Sequence, residues 1–176
     1  MIIKITKGTD RDFLAIVRDD GSTETATFPK KGVTPHDAIH YFVETELNLP
    51  MAFWGMVAKG HSPADIQEIA KQAGHASASR AQTPDEHIVQ LLQAERLVEC
   101  FESDAWGAPA DVETFIAIAK TACEASFIPM PALTPQSIEA VRTRIAAFQS
   151  IWSVAKAAHV AEFQWDEQRP RTQLNG

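Results

Sequence analysis

The sequence predicts an α+β fold in which a small antiparallel or mixed sheet packs on one face against about six helices. The first 28 residues alternate apolar and polar side chains, as a half-buried strand does. Between residues 34 and 152 the apolar side chains recur with the period of a helix, and the segment 158–166 returns to alternation. Strands at both chain ends around a helical middle favour this class.

The segment 1–28 is predicted to form a three-stranded meander. Strands are expected over 2–6, 13–18 and 24–28, with the first turn around Gly8. Asp19-Asp20-Gly21-Ser22 separates the second strand from the third. An Asp-Gly pair tolerates the positive φ angles of a type I′ turn, so this segment predicts a hairpin.

Four helix starts are predicted from Ser-Pro and Thr-Pro pairs, because the hydroxyl accepts an orphan backbone N–H and Pro suits the first helical position. The pairs are Thr34-Pro35, Ser62-Pro63, Thr83-Pro84 and Thr134-Pro135. An acid three residues after the cap can reach back to it. We expect a full capping box at Thr83-Pro84-Asp85-Glu86, and Asp37 as the reciprocal partner of Thr34.

Apolar stripes mark the helices of the segment 34–152. Short helices are expected at 53–57 and after Ser62, the longest helix after Thr83, and further helices at 112–123 and after Thr134. The stripe of the first helix consists of Ile39, Phe42, Val43 and Leu47, and that of the last of Ile138, Val141, Ile145, Phe148 and Trp152. The segment 73–82 is predicted to be a loop and 167–176 a polar tail.

The segment 158–166 is predicted to return to the sheet, because a terminal strand needs a partner and the meander supplies one. The sequence contains no internal repeat and no linker that would divide it. Residues 1–176 are therefore interpreted as a single domain, with the two chain ends meeting in one sheet.

Composition narrows the classes of partner. A formal charge of −7 and a pI near 5.3 leave no basic surplus for nucleic acid or for an anionic membrane surface. No apolar run approaches the roughly 20 residues of a membrane span, and the N-terminus has no apolar signal core. Cys100 and Cys123 are expected to be reduced and buried. The sequence predicts a cytoplasmic protein that binds an unidentified protein or small molecule.

One segment has the composition of a metal site. His36 and His40 are four residues apart, so on a helix their rings lie on one face and can converge on a single ion. Glu44 extends this row by one further turn. These three residues are the candidate metal ligands.

The segment His36-Asp37-Ala38-Ile39-His40 resembles the His-Glu-x-x-His helix of the zincin metalloproteases over five residues. The resemblance implies zinc as the cofactor, His36 and His40 as ligands, and Asp37 as the general base that acts on the zinc-bound water. Asp37 is one methylene shorter than the family's glutamate. The third ligand stays open among Glu44, His61, His75, His87 and His159.

A structural role for both histidines is the alternative. With Ile39 as the origin, a rotation of about 100° per residue places His36 at about 60° and His40 at about 100°, on or beside the apolar face. Histidines there are often half buried, with their nitrogens bonded to nearby groups. The first hypothesis is therefore a non-catalytic protein without a cofactor, and the second is a zinc-dependent hydrolase.

The stretch from Phe28 to Glu44, a Pro-His-Asp-x-x-His-x-x-x-Glu helix after a meander, also resembles a group of small uncharacterised bacterial proteins. This resemblance implies the same order of sheet and helices. It implies no activity.

Overall fold

The computed structural model describes residues 1–30, 32–73 and 84–166, and within these ranges it contains four strands and six α-helices. The strands are β1 (Ile2–Thr6), β2 (Arg11–Val17), β3 (Thr23–Pro29) and β4 (Val160–Gln164). The helices are α1 (His36–Glu46), α2 (Phe53–Ala58), α3 (Pro63–Gln72), α4 (Val89–Trp106), α5 (Val112–Ala125) and α6 (Pro135–Trp152). The predicted α+β class is confirmed. In the described ranges, every helix is too short or too polar to cross a bilayer.

The sheet has the order β3-β2-β1-β4, and every neighbouring pair is antiparallel. Ile3 of β1 lies opposite Ile16 of β2 and Phe163 of β4, so the two chain ends meet as predicted. Alternate side chains such as Ile3 and Leu14 are buried, whereas Phe13 remains exposed. The sheet thus has one core face, and the helices cover it.

The hairpin between β2 and β3 forms at the predicted place, but its loop is not the type I′ turn that an Asp-Gly pair tolerates. Gly21 donates its backbone N–H to the carbonyl of Arg18, and Arg18 donates its backbone N–H to the carbonyl of Ser22. Gly21 is the one residue of this turn with a positive φ, at 83°, whereas a type I′ turn needs two such residues. The loop therefore resembles a type I turn followed by a glycine.

Helix starts at Ser62 and Thr134 are confirmed. The Ser62 hydroxyl accepts the N–H of Asp65, and Thr134 forms a capping box with Ser137. Thr83 lies outside the described residues, and the first regular residue of α4 is Val89 rather than Pro84. A 3₁₀ turn over Glu86–Ile88 precedes it, capped by Asp85. The helices α4 and α6 have 18 residues each, so α4 does not exceed α6.

The predicted cap at Thr34 was wrong. Pro35, with φ −57° and ψ 129°, occupies the capping position itself, and no side chain caps α1. Thr34 therefore precedes the cap by one residue, where its hydroxyl cannot reach the first free N–H groups. Its Oγ1 atom is buried without a partner among the described residues, and Asp37 is not bonded to it.

Helix α1 lies at the centre of the helical layer. It packs against α2, α4 and α6, and every residue from Ala38 to Glu44 is buried. A helix buried on all sides places its polar residues inside the protein as well as its apolar ones. This position explains why His40 and Glu44 are buried.

Candidate metal centre

The packing of α1 on α4 brings four side chains into one cluster. His36 and His40 come from α1, and Glu95 and Glu102 come from α4. Glu102 follows His36 by 66 residues in the sequence, yet the two side chains are in direct contact. We call these four residues, together with Glu44, the α1–α4 cluster.

The two imidazole rings direct the same nitrogen at one point. Nε2 of His36 lies 3.2 Å from Nε2 of His40, and the ring planes meet at 72°. The carboxylate of Glu95 lies beside both atoms, 3.9 Å from Nε2 of His36 and 3.8 Å from Nε2 of His40. Donors at metal bonds of about 2.1 Å are about 3.4 Å apart in a tetrahedral site. The spacing observed here is close to that value.

Each histidine is held at its other nitrogen by a carboxylate. Nδ1 of His36 lies 2.8 Å from Oε1 of Glu102, and Nδ1 of His40 lies 2.9 Å from Oε1 of Glu44. An ionised carboxylate only accepts hydrogen bonds, so both Nδ1 atoms carry a hydrogen. The second oxygen of Glu44 accepts the backbone N–H of Trp54 at 2.9 Å. Histidines with a bonded Nδ1 present Nε2 to an ion.

Without an ion, one proton must lie between the two Nε2 atoms, since two facing lone pairs at this distance repel. Burial disfavours a charge on His40, but the charge of Glu95 and the hydrogen bond to Glu44 outweigh it and raise the pKa of His40 to about 10. Burial likewise opposes the charged form of His36, while hydrogen bonds to Glu102 and Glu95 raise its pKa. The cluster therefore favours a positive charge at this point.

The cluster is closed on one side and open on the other. The side chains of His40 and Glu44 are 2% and 0% exposed, and the ring of Phe53 lies against His40 at a centroid distance of 5.4 Å. The side chain of His36, by contrast, is 39% exposed. Solvent therefore reaches the cluster from the His36 side.

The predicted base, Asp37, interacts electrostatically with both histidines. Burial raises the pKa of its carboxyl, and the nearby charges of His36 and His40 act against that rise. Its backbone carbonyl accepts the indole N–H of Trp54 at 3.1 Å. Within the described ranges its carboxylate makes no hydrogen bond, so the structural role expected for it at the helix start is absent.

The structure places the predicted ligand Glu44 behind His40. Both of its oxygens are already bonded, one to the imidazole and one to the N–H of Trp54. In the described part of the chain, the group whose ligand atoms lie within 4.8 Å of one another consists of His36, His40 and Glu95. Glu95 was not among the predicted third ligands.

The other predicted third ligands lie elsewhere. His61, His87 and His159 are not part of the described group, and His75 lies outside the described residues. Glu95 and Glu102 left one signal in the sequence: they are seven residues apart on α4, next to the buried Leu91 and Val98. Because charged residues border the apolar stripe of most amphipathic helices, this position did not single them out.

Two further features carry no comparable chemistry. Cys100 and Cys123 are free and buried, as predicted, and burial raises the pKa of the Cys123 thiol to about 11.

A groove of about 450 Å³ lies between α4 and α6 and contains Arg142. Its guanidinium is already bonded to Asp104, Glu139 and the carbonyl of Ala110. We therefore interpret this arginine as structural.

Comparisons of this chain with protein-family models, with curated proteins and with solved structures gave no match.

Proposed function

We propose that this protein binds one divalent transition-metal ion, zinc in the first instance, through His36, His40 and Glu95, and that it is a metal-dependent hydrolase. The observation that carries the proposal is the approach of the two Nε2 atoms to 3.2 Å beside the Glu95 carboxylate. Both Nδ1 atoms are already bonded to other carboxylates. The nitrogens that these two bonds leave over are the two Nε2 atoms, and these converge beside Glu95.

The donor types support an ion of the zinc class. Two histidines and one glutamate are a ligand set of catalytic zinc sites, and imidazole suits zinc, iron and nickel better than calcium or magnesium. The carboxylates of Glu44 and Glu102 add to the negative charge of Glu95 around the site, which favours a divalent cation.

The opening of the site supports a hydrolytic reaction. Three protein donors leave a coordination position, and the exposed side of His36 gives water and substrate access to it. Zinc bound in this way lowers the pKa of its water to near 7. We assign Asp37 as the proton acceptor, because its carboxyl interacts electrostatically with both histidines and makes no hydrogen bond to the described residues.

Metal binding is tested by titrating zinc into untagged protein in competition with a chromogenic chelator. We expect one zinc per chain in the wild type and none in the double variant His36→Gln/His40→Gln. His87→Gln removes an exposed histidine outside the cluster and serves as the matched control, with unchanged affinity expected. Retention of zinc by the double variant would contradict the assignment of the ligands.

The hydrolytic step is tested with zinc-loaded protein and a panel of chromogenic esters and amides. Asp37→Asn keeps the size of the side chain but removes its ability to accept a proton. We expect kcat to fall by about 10²- to 10⁴-fold, the usual contribution of a general base, while the affinity for zinc is unchanged. Equal rates in both proteins would exclude Asp37 as the base.

A non-catalytic cytoplasmic protein that binds a partner or small ligand is the second candidate. One observation favours it: His40 already has hydrogen-bond partners at both nitrogens, Glu44 and His36. Such a network is complete with a proton in place of an ion. This candidate predicts that purified protein contains well under one equivalent of zinc and that a chelator leaves its melting temperature unchanged.

A further inference from the structure

We propose that Glu102 is a positioning residue of the metal centre: it holds His36 with its Nε2 lone pair directed at the ion, as Glu44 does for His40. This inference rests on the proposed function and assigns a role to a residue that does not touch the ion. It is carried by the 2.8 Å contact between Oε1 of Glu102 and Nδ1 of His36.

The first part of this role concerns the tautomer of His36. A neutral imidazole carries its hydrogen on either nitrogen, and only the nitrogen without hydrogen binds a metal. Because the carboxylate of Glu102 accepts the Nδ1 hydrogen, Nε2 keeps its lone pair. Without this acceptor, a share of the molecules carries the hydrogen on Nε2 and is unable to bind the ion.

The second part concerns the orientation of the ring. The ring of His40 is fixed by its surroundings, since it is 2% exposed and lies against Phe53. The side chain of His36 is 39% exposed, so packing restrains it much less. The bond to Glu102 therefore contributes more to the orientation of His36 than the bond to Glu44 contributes to that of His40.

The position of Glu102 makes this role separable from folding. Its side chain is 18% exposed, whereas that of Glu44 is fully buried and also accepts the N–H of Trp54. Removal of Glu44 leaves a buried donor unpaired, which destabilises the protein irrespective of metal. Removal of Glu102 leaves His36 in contact with solvent, so the fold is retained.

The experiment measures the zinc dissociation constant of the full chain for the wild type, Glu102→Ala, Glu102→Gln and Glu99→Ala. Glu99 lies on the same helix, is 46% exposed and pairs with Arg96, so its removal deletes the same charge from α4 without a contact to either histidine. Partners of ligating histidines typically contribute 10- to 100-fold to metal affinity. We expect a loss of that size in Glu102→Ala and a change of less than about threefold in Glu99→Ala.

Two further readouts separate positioning from a general structural role. Glu102→Gln keeps an oxygen that accepts the Nδ1 hydrogen, so we expect it to recover part of the lost affinity. Histidine ¹H–¹⁵N spectra of the zinc-loaded wild type are expected to show His36 protonated at Nδ1, with this signal lost or exchange-broadened in Glu102→Ala.

The outcomes distinguish this inference from the proposed function. If the wild type binds zinc and Glu102→Ala binds it with the same affinity, the positioning role is overturned while the metal centre stands. If the wild type binds no zinc, the proposed function fails, and the role of Glu102 fails with it.

Discussion

The proposed metal site depends on the two Nε2 atoms of His36 and His40. Each imidazole has one nitrogen committed to a carboxylate, and the remaining nitrogens lie 3.2 Å apart. A proton or a metal ion resolves the repulsion between these lone pairs. Glu95 lies nearly equally far from both nitrogens and adds the negative charge that a divalent ion requires.

Glu95→Gln tests the third ligand. The substitution keeps the size of the side chain but removes the negative charge that faces both histidines. Residues that only support a ligand contribute at most about 100-fold to metal affinity. We therefore expect the zinc dissociation constant of Glu95→Gln to rise by more than that, and chelator competition measures it. Glu99→Gln removes a charge from the exposed side of the same helix and is expected to bind zinc like the wild type. Equal affinities for the two variants would remove Glu95 from the ligand set.

At this scale the sequence predicted two of the three proposed ligands. The spacing of His36 and His40 is a local property of one helix, and the helical period alone places both rings on one face. Glu95 and Glu102 lie on another helix, and only the packing of α1 on α4 brings them near. The pairing of helices depends on the shape of whole side-chain surfaces, which the pattern of one segment does not contain.

At the scale of the elements, the helix starts show how one backbone angle changes the role of a side chain. Thr34-Pro35 and Thr134-Pro135 are equivalent in sequence, but Pro35 occupies the cap of α1, whereas Pro135 is the first residue of α6. The hydroxyl of Thr134 therefore accepts a backbone N–H, and that of Thr34 is buried without a described partner.

Thr34→Val and Thr134→Ala test this difference. Thr34→Val replaces a buried, unbonded hydroxyl by a methyl group of similar size, so we expect the free energy of unfolding to rise by about 1 kcal/mol. Thr134→Ala removes a cap, and we expect a loss of about 1 kcal/mol. Urea unfolding measures both. A loss of stability in Thr34→Val would show that its hydroxyl has a partner after all.

Strand β4 allows a matched pair of proline substitutions. The backbone N–H of Trp165 donates to the carbonyl of Met1, and the backbone N–H of Lys7 donates to the carbonyl of His159. Hydrogen-bonded pairs alternate along an antiparallel ladder, so the N–H of Ala161 points at β1 and that of Glu162 points away from it. We expect Ala161→Pro to lower the free energy of unfolding by about 1 kcal/mol or more, because a ladder bond is lost. Glu162→Pro is expected to cost less, since edge strands tolerate proline at such positions. Equal losses would contradict this register.

At the scale of the whole molecule, the cluster links protonation to folding. The pKa of His40 is about 10 in the folded protein and 6.5 as its ordinary value. Because His40 binds its proton more tightly in the folded state, its protonation stabilises the folded protein. This contribution is fully present below pH 6.5 and is lost as the pH rises through about 10. The charged groups that face His40 are Glu44, Glu95, His36 and Asp37.

The metal-free protein is therefore expected to lose thermal stability between pH 7 and pH 10. Thiols that unfolding exposes titrate at about pH 8.5, within the same range, so the comparison uses the double variant His36→Gln/His40→Gln, which keeps both cysteines. We expect the melting temperature of the wild type to exceed that of the variant at pH 7 and to approach it by pH 10. With saturating zinc the wild type is expected to keep its advantage, because the ion replaces the proton. A difference independent of pH would exclude the protonated histidine pair.

The closure of the sheet was predictable because it follows from a general constraint: a terminal strand such as Val160–Gln164 needs a partner, and β1 was available. The depth at which α1 lies in the protein was not predictable from the sequence. Its stripe of Ile39, Phe42 and Val43 predicted one buried face, but every residue from Ala38 to Glu44 is buried. Phe53 and Trp54 of α2 and Glu95 of α4 cover the flank of α1 that carries His40 and Glu44, so both lie inside the protein, where their hydrogen bonds have most effect.

The metal centre is tested most directly by anomalous diffraction from crystals of the zinc-loaded protein, with data collected above and below the zinc absorption edge. The expected result is one anomalous peak about 2.0 to 2.2 Å from Nε2 of His36, Nε2 of His40 and a carboxylate oxygen of Glu95, with Glu44 and Glu102 on the two Nδ1 atoms. A cluster without a peak at saturating zinc, with the two Nε2 atoms still in hydrogen-bond contact, would contradict the metal centre and favour the proton-linked, non-catalytic alternative.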